Sequence, residues 1–170
     1  MTNVPAKLRL HRRVITTAIL SASLFTASLS LISSNAFAAD NNVVATRFGK
    51  LTIGKNQADE PIVSFNGKTI SKEDFGFYNA EKYIKLQKTD VVVVSYNVGG
   101  ANSMPTISLV EITSPTTAHV IQGADANDDR IKVTQSGEHI TIDLGASGKG
   151  KHDFLNYQDG KAWVSKSKQK

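Results

Sequence analysis

Two β-prone runs either side of a glycine-rich loop, from Asp90 to Thr113, carry the strongest pattern in the chain. Val91 to Val94 is four β-branched residues in a row, which favours extended backbone and lacks the alternation of a half-wet strand. That continuity predicts a central strand covered on both faces. A second strand is predicted over Thr106–Ile112, with Ile107, Leu109 and Glu111 on one side and Ser108, Val110 and Ile112 on the other. Between them, Asn97 to Ser103 supplies glycines and asparagines that tolerate positive φ, and Pro105 closes the loop. This loop is a candidate for holding a partner, with Asn97, Asn102 and Met104 as its contact residues. A wide hairpin connection accounts for its composition as well.

The pattern continues on both sides. Val43, Val44 and Phe48 precede Gly49, and Leu51-Thr52-Ile53 alternates after it, which predicts two short strands. Ile62 to Phe65 meets Asn66-Gly67 and continues through Lys68-Thr69-Ile70, a strong hairpin signal. Ser71-Lys72-Glu73-Asp74 has the spacing of a helix cap, so one or two helical turns are predicted there. Phe75, Phe77 and Tyr78 follow, and the expectation is that they pack on one face or end of a sheet. Thr117–Gln122 predicts a strand, and Gly123 to Asp129 an acidic loop. Ile131-Lys132-Val133-Thr134 and His139 to Leu144 alternate around a turn at Ser136-Gly137-Glu138, which predicts a hairpin wet on one side. Gly145 to Lys151 reads as a loop, and His152 to Tyr157 as a strand with Phe154 as its core residue. Asp159-Gly160 turns into Lys161–Val164. Strands recurring at about eight- to twelve-residue spacing predict an all-β fold, or mainly β with one short helix. The expected architecture is an antiparallel sandwich or open barrel of roughly 8–10 short strands.

The first 38 residues lie outside this pattern. Lys7, Arg9, Arg12 and Arg13 precede an uncharged run from Val14 to Ile32, and Ala36-Phe37-Ala38 follows. This order is that of a secretory signal cleaved after Ala38. The expected organisation is a signal peptide at 1–38, one β domain at 39–164 and a flexible basic tail at 165–170. The chain has 20 basic and 15 acidic residues. Removing 1–38 takes four basic and no acidic ones, which leaves 16 against 15. A charge near neutrality is no nucleic-acid footprint. Without cysteine there is neither a disulfide nor a lipid attachment site, so the fold rests on packing and the expected location is the periplasm or the medium.

Candidate chemistry is sparse. Gly145 to Lys151 approaches the phosphate-loop spacing, but His152 stands where a magnesium-binding hydroxyl is needed and an extended segment follows. Ser147 has no base identifiable by spacing. Asp125, Asn127 and Asp129 have the alternate spacing of the first ligands of a calcium loop, yet Arg130 replaces its glycine and Ser136 its bidentate acid. They are retained as a candidate divalent-cation site beside the alternative of a solvated acidic turn. His119, His139 and His152 form no short-spaced ligand pair and read as outward-facing strand residues. No cofactor is expected.

Asp90 to Val94, the glycine-rich loop ending in Pro105, Val110-Glu111-Ile112, Arg130 to Gly137 and Asp159-Gly160-Lys161 resemble a group of small exported proteins of Gram-negative bacteria. The resemblance spans about Thr89 to Trp163. It implies an exported β-rich domain and contributes no catalytic residue. The group usually carries a loop-to-loop disulfide. Here Met104 holds the first cysteine's place and Gly123 to Asp129 has none.

The leading functional expectation is an exported, non-catalytic binding module that engages a protein partner through loops. The contact residues expected are Asn97, Asn102 and Met104, with Ser147, Lys149 and Lys151 in the second loop. An inhibitor of a cell-wall-degrading enzyme, or an immunity protein, falls within that class. Two other classes remain open: a small-molecule or metal-binding periplasmic protein, and an envelope hydrolase using Ser147 or a histidine.

Overall fold

The structure is a computed structural model that describes residues 43–168, apart from 101, 102 and 149. The described chain is all β: twelve strands in three antiparallel four-stranded sheets. Sheet I consists of β1 (Val43–Thr46), β2 (Gly49–Lys55), β3 (Pro61–Phe65) and β4 (Lys68–Lys72). Sheet II consists of β5 (Phe77–Lys85), β6 (Asp90–Asn97), β7 (Thr106–Ser114) and β8 (Thr117–Asp125). Sheet III consists of β9 (Lys132–Ser136), β10 (His139–Ala146), β11 (Lys151–Gln158) and β12 (Lys161–Lys168). Within each sheet the strands lie side by side in chain order, so one meander is repeated three times.

The sheets form three layers with sheet II in the middle, and β6 shows why. Val91 and Val93 share a core with Ile140, Ile142 and Leu155 of sheet III, whereas Val92 and Val94 share one with Val44, Leu51 and Val63 of sheet I. All four valines are at most 1% exposed. A strand with two buried faces has no use for alternation, hence the unbroken apolar run. β7 divides the same way, Ile107 and Leu109 toward sheet III and Val110 and Ile112 toward sheet I. The outer sheets keep a solvated face. Ile140, Ile142 and Leu144 of β10 are buried while the alternating His139, Thr141 and Asp143 are only partly so. Burying each such Val, Ile or Leu stabilises the fold by roughly 1.5–3 kcal/mol.

Three expectations change here. The predicted helical turns are absent among the described residues: Ser71 and Lys72 are the last residues of β4, and residues 73–76 bend directly into β5. Instead of capping a helix, Ser71 places its hydroxyl 2.9 Å from the Tyr78 hydroxyl, and the Glu73 amide donates to the Pro61 carbonyl. Gly76 takes φ 96° packed against the Asn97 carbonyl, a conformation and an approach that exclude a side chain. Phe154 is not the core residue of β11. Leu155 and Tyr157 face sheet III's core, while Phe154 lies on the other face, stacked on His152. β12 stays paired with β11 as far as Lys168, beyond the tail boundary drawn from composition. The expected signal and its cleavage point lie outside the described residues.

The two ends of the stack differ. At one end the short turns are tied together by side chains. Arg47 of the β1–β2 turn donates to the carbonyls of Leu86, Gln87 and Thr89 in the β5–β6 turn. Asn66 of the β3–β4 turn donates to the Pro115 carbonyl of the β7–β8 turn, and Glu138 accepts from the Gln87 amide. At the other end lie the longer β2–β3, β6–β7 and β10–β11 loops and the sheet-to-sheet connections. Backbone bonds cross between its connections: Ala126 N to the Pro105 carbonyl at 2.9 Å and Asn127 N to the Leu144 carbonyl at 2.6 Å.

Candidate functional site

The loop end brings together residues that are remote in sequence. Met104 of the β6–β7 loop is 50% exposed and Val98 49%, beside Phe75 at 64% and Phe77 at 46%. Their proximity follows from pairing: Phe77 is registered with Asn97, Tyr96 donates its hydroxyl to the Phe75 carbonyl, and Ser103, next to Met104, donates to the Asn97 side chain. Of the three aromatics expected to pack on one face or end of a sheet, only Tyr78 is buried, while Phe75 and Phe77 stand exposed. β5 begins as the chain turns away from sheet I, so Tyr78 faces the core and Phe77 points out.

Next to this apolar cluster is a cleft of about 410 Å³. Tyr78, Tyr96, Ser108, Gln122 and Asp125, the last residue of β8, line it from sheet II, and Glu73 from the connection that leaves β4. The two tyrosine rings are 5.0 Å apart. A β-bulge shapes the cleft: where β7 has Ser108 alone, β8 has Gln122 and Gly123. Such an insertion bends the strand and re-aims its side chains. Gly123 is required because a Cβ there would strike the Ile107 carbonyl and the Leu155 side chain.

Electrostatically the cleft is negative. Burial, then the charges of Glu73 and Asp74, hold the Tyr96 phenol above its ordinary pKa. Tyr78 is likewise raised, first by burial, with the nearby Glu73 charge adding to the effect. Glu73 accepts a hydrogen bond from Tyr78 at 3.3 Å, and Asp125 one from Thr106 at 2.6 Å. A second hollow of about 420 Å³, bordered by Phe65, Ile70 and Pro115, lies at the tied end. Its Asn66 side chain is already committed to the Phe48 and Pro115 carbonyls.

The residues singled out from sequence fare differently. Asn97 and Met104 belong to the loop end. There Asn97 organises its own loop, accepting from the Gly99 amide and the Ser103 hydroxyl. Asn102 and Lys149 lie outside the described residues. Ser147 and Lys151 close the β10–β11 turn, with Ser147 N bonded to the Lys151 carbonyl. The Ser147 hydroxyl donates to Asp153 at 2.9 Å, while His152 Nδ1 lies 2.9 Å from Asp143. The serine and the histidine are thus each held by a different carboxylate. Asp125, Asn127 and Asp129 diverge. Asp125 turns to Thr106 and Asn127 toward Asp153, and no group of three or more metal-ligating side chains occurs among the described residues.

The other histidines serve the sheets: His119 pairs with Glu111 at 3.0 Å, and His139 stacks on Trp163. Among the described residues no helix is long and apolar enough to cross a membrane. Sequence reasoning missed Glu73, Tyr96 and Ser108 as cleft residues. Glu73 read as part of a helix cap, and no local signal marks Ser108, whose exposure depends on the bulge in β8. Compared with protein-family models, curated proteins and solved structures, the chain matches none.

Proposed function

We propose that the chain is an exported, non-catalytic binding module of the bacterial envelope that engages a protein partner through its loop end. One observation carries this reading: Phe75, Phe77, Val98 and Met104 stand about half exposed or more on neighbouring loops, beside a polar cleft. A cluster of large apolar side chains left in water on one end of a well-packed stack is a docking feature. Aromatic residues and methionine are the types enriched where proteins meet. The three-layer core supplies the rigid base that such loops need. The separate carboxylate partners of Ser147 and His152 favour binding over hydrolysis, since a serine nucleophile needs its base within hydrogen-bond reach.

The test is comparative capture. The full chain is expressed in a Gram-negative host, recovered from the envelope fraction and used as bait beside a Phe75→Ser/Phe77→Ser/Met104→Ser variant and a Lys161→Ser control at the tied end. A stoichiometric protein retained by the parent and the control and lost by the triple variant supports the reading. Equal retention by all three removes it.

A further inference from the structure

Building on the proposed function, we infer that the cleft between Glu73 and Asp125 receives a basic side chain, lysine or arginine, projecting from the protein partner. Phe75, whose carbonyl accepts from Tyr96, and Met104 then form the apolar border beside that anchor.

Three observations lead there. The first is an imbalance of charge. Glu73 and Asp125 line one cleft, and their side-chain hydrogen bonds come from neutral hydroxyls, those of Tyr78 and Thr106. Among the described residues no lysine, arginine or histidine lies within ion-pair distance of either carboxylate. Lys72, adjacent to Glu73 in sequence, is drawn away to Glu60 at 2.8 Å. The group that complements this pair, Glu73 half-buried and Asp125 exposed, is a cation, whose hydrogen bonds to them are charge-assisted.

The second is an unused hydroxyl. Ser108 is 8% exposed and lines the cleft, yet its side chain has no hydrogen-bond partner among the described residues. Its oxygen is not sealed off but reaches the cleft, so it is open to accept a hydrogen bond from a ligand there. An ammonium or guanidinium group carries donors only, which matches a site of two carboxylates and a free hydroxyl.

The third is the aromatic pair. The rings of Tyr78 and Tyr96 lie in the cleft, and a cation over a tyrosine face gains further attraction. A divalent metal fits less well. It requires several converging oxygen ligands, whereas each carboxylate here already accepts a hydroxyl donor. The half-exposed apolar border places the cation on a protein, because burying that border requires a partner surface beside the charged group.

The experiment titrates the isotopically labelled full chain with N-acetyl-arginine amide and, separately, with its neutral isostere N-acetyl-citrulline amide, following backbone amide resonances. The expected result is saturable shifts at Glu73, Tyr96, Ser108 and Asp125 with arginine, citrulline binding at least about tenfold more weakly. Glu73→Gln/Asp125→Asn removes the preference. Equal response to both probes, no saturable response, or the same shifts from N-acetylglucosamine overturns the inference. The captured partner separates this claim from the one beneath it. Binding lost in Phe75→Ser/Phe77→Ser/Met104→Ser but kept in Glu73→Gln/Asp125→Asn overturns the cationic anchor and leaves the loop-end reading intact. Binding lost in both supports the anchor, and binding lost in neither removes both.

Discussion

The guanidinium of Arg47 holds the carboxylate of Asp90 across two sheets. Arg47 Nε lies 2.7 Å from Asp90 Oδ1, and the Arg47 backbone amide donates to Oδ2, also at 2.7 Å. Asp90 is fully buried and accepts a third bond from the Tyr83 hydroxyl. This arginine is the main tie between the β1–β2 turn of sheet I and the start of the central strand. Removing one partner of such a pair leaves an uncompensated buried charge. Arg47→Ala is expected to cost about 3 kcal/mol, the lower end of the usual range because the arginine is itself partly exposed. Arg47→Lys recovers little, since an ammonium cannot reach the three turn carbonyls and the carboxylate together. Urea unfolding measures both variants, and a loss under about 0.5 kcal/mol for Arg47→Ala contradicts the assignment.

The buried phenol of Tyr157 and the half-buried one of Tyr83 make the fold sensitive to alkali. Burial, then the hydrogen bond to Asp90, pushes Tyr83 up to about 12. Burial and the hydrogen bond to Glu111 push Tyr157 upward as well. Each folded-state value lies above the unfolded one, so the folded state retains the proton longer. The stability they contribute is complete below about pH 10 and is lost as pH rises from there through about 12. Melting temperatures between pH 8 and pH 12 should therefore fall more steeply for the parent than for Tyr83→Phe or Tyr157→Phe. These variants start lower, because Asp90 or Glu111 loses a donor, and then decline less. Parallel curves for all three contradict this account.

Backbone approach at the β8 bulge gives a third expectation. Gly123→Ala drives a methyl group into the Ile107 carbonyl and displaces Leu155, at a cost of about 1–3 kcal/mol. Gly54→Ala, whose new methyl meets nothing within 4 Å, should stay within about 0.5 kcal/mol. Thermal unfolding of the pair checks it. A Gly123→Ala protein as stable as the parent means that the bulge is absent or relaxed.

How much of this was legible in the sequence depends on range. The double burial of β6 is written in Val91 to Val94, the I′-like turn in Asn66-Gly67, and the one-sided wetness of β10 in its alternation. The layering was not legible as such. The expected sandwich or barrel of 8–10 strands became three stacked meanders of four, because pattern tells a strand how many faces it buries but not which sheet covers them. Ser71-Lys72-Glu73-Asp74 predicted a helix on local spacing, and tertiary demands on Glu73 N and Gly76 overrode it. Loop composition was enough to place Asn97 and Met104 at the β6–β7 connection. The cleft was not legible, since Glu73, Tyr96, Ser108 and Asp125 meet only through sheet II's register and the bulge opposite Ser108.

The most direct test of the loop-end proposal is site-specific photo-crosslinking in living cells. Benzoylphenylalanine is placed at position 77, where Phe77 stands exposed, and in a separate strain at position 163, where Trp163 is exposed on sheet III. The account predicts one discrete protein adduct from position 77 and none of comparable yield from position 163. Adducts of equal yield from both positions, or none from position 77 with the protein folded and exported, contradict it.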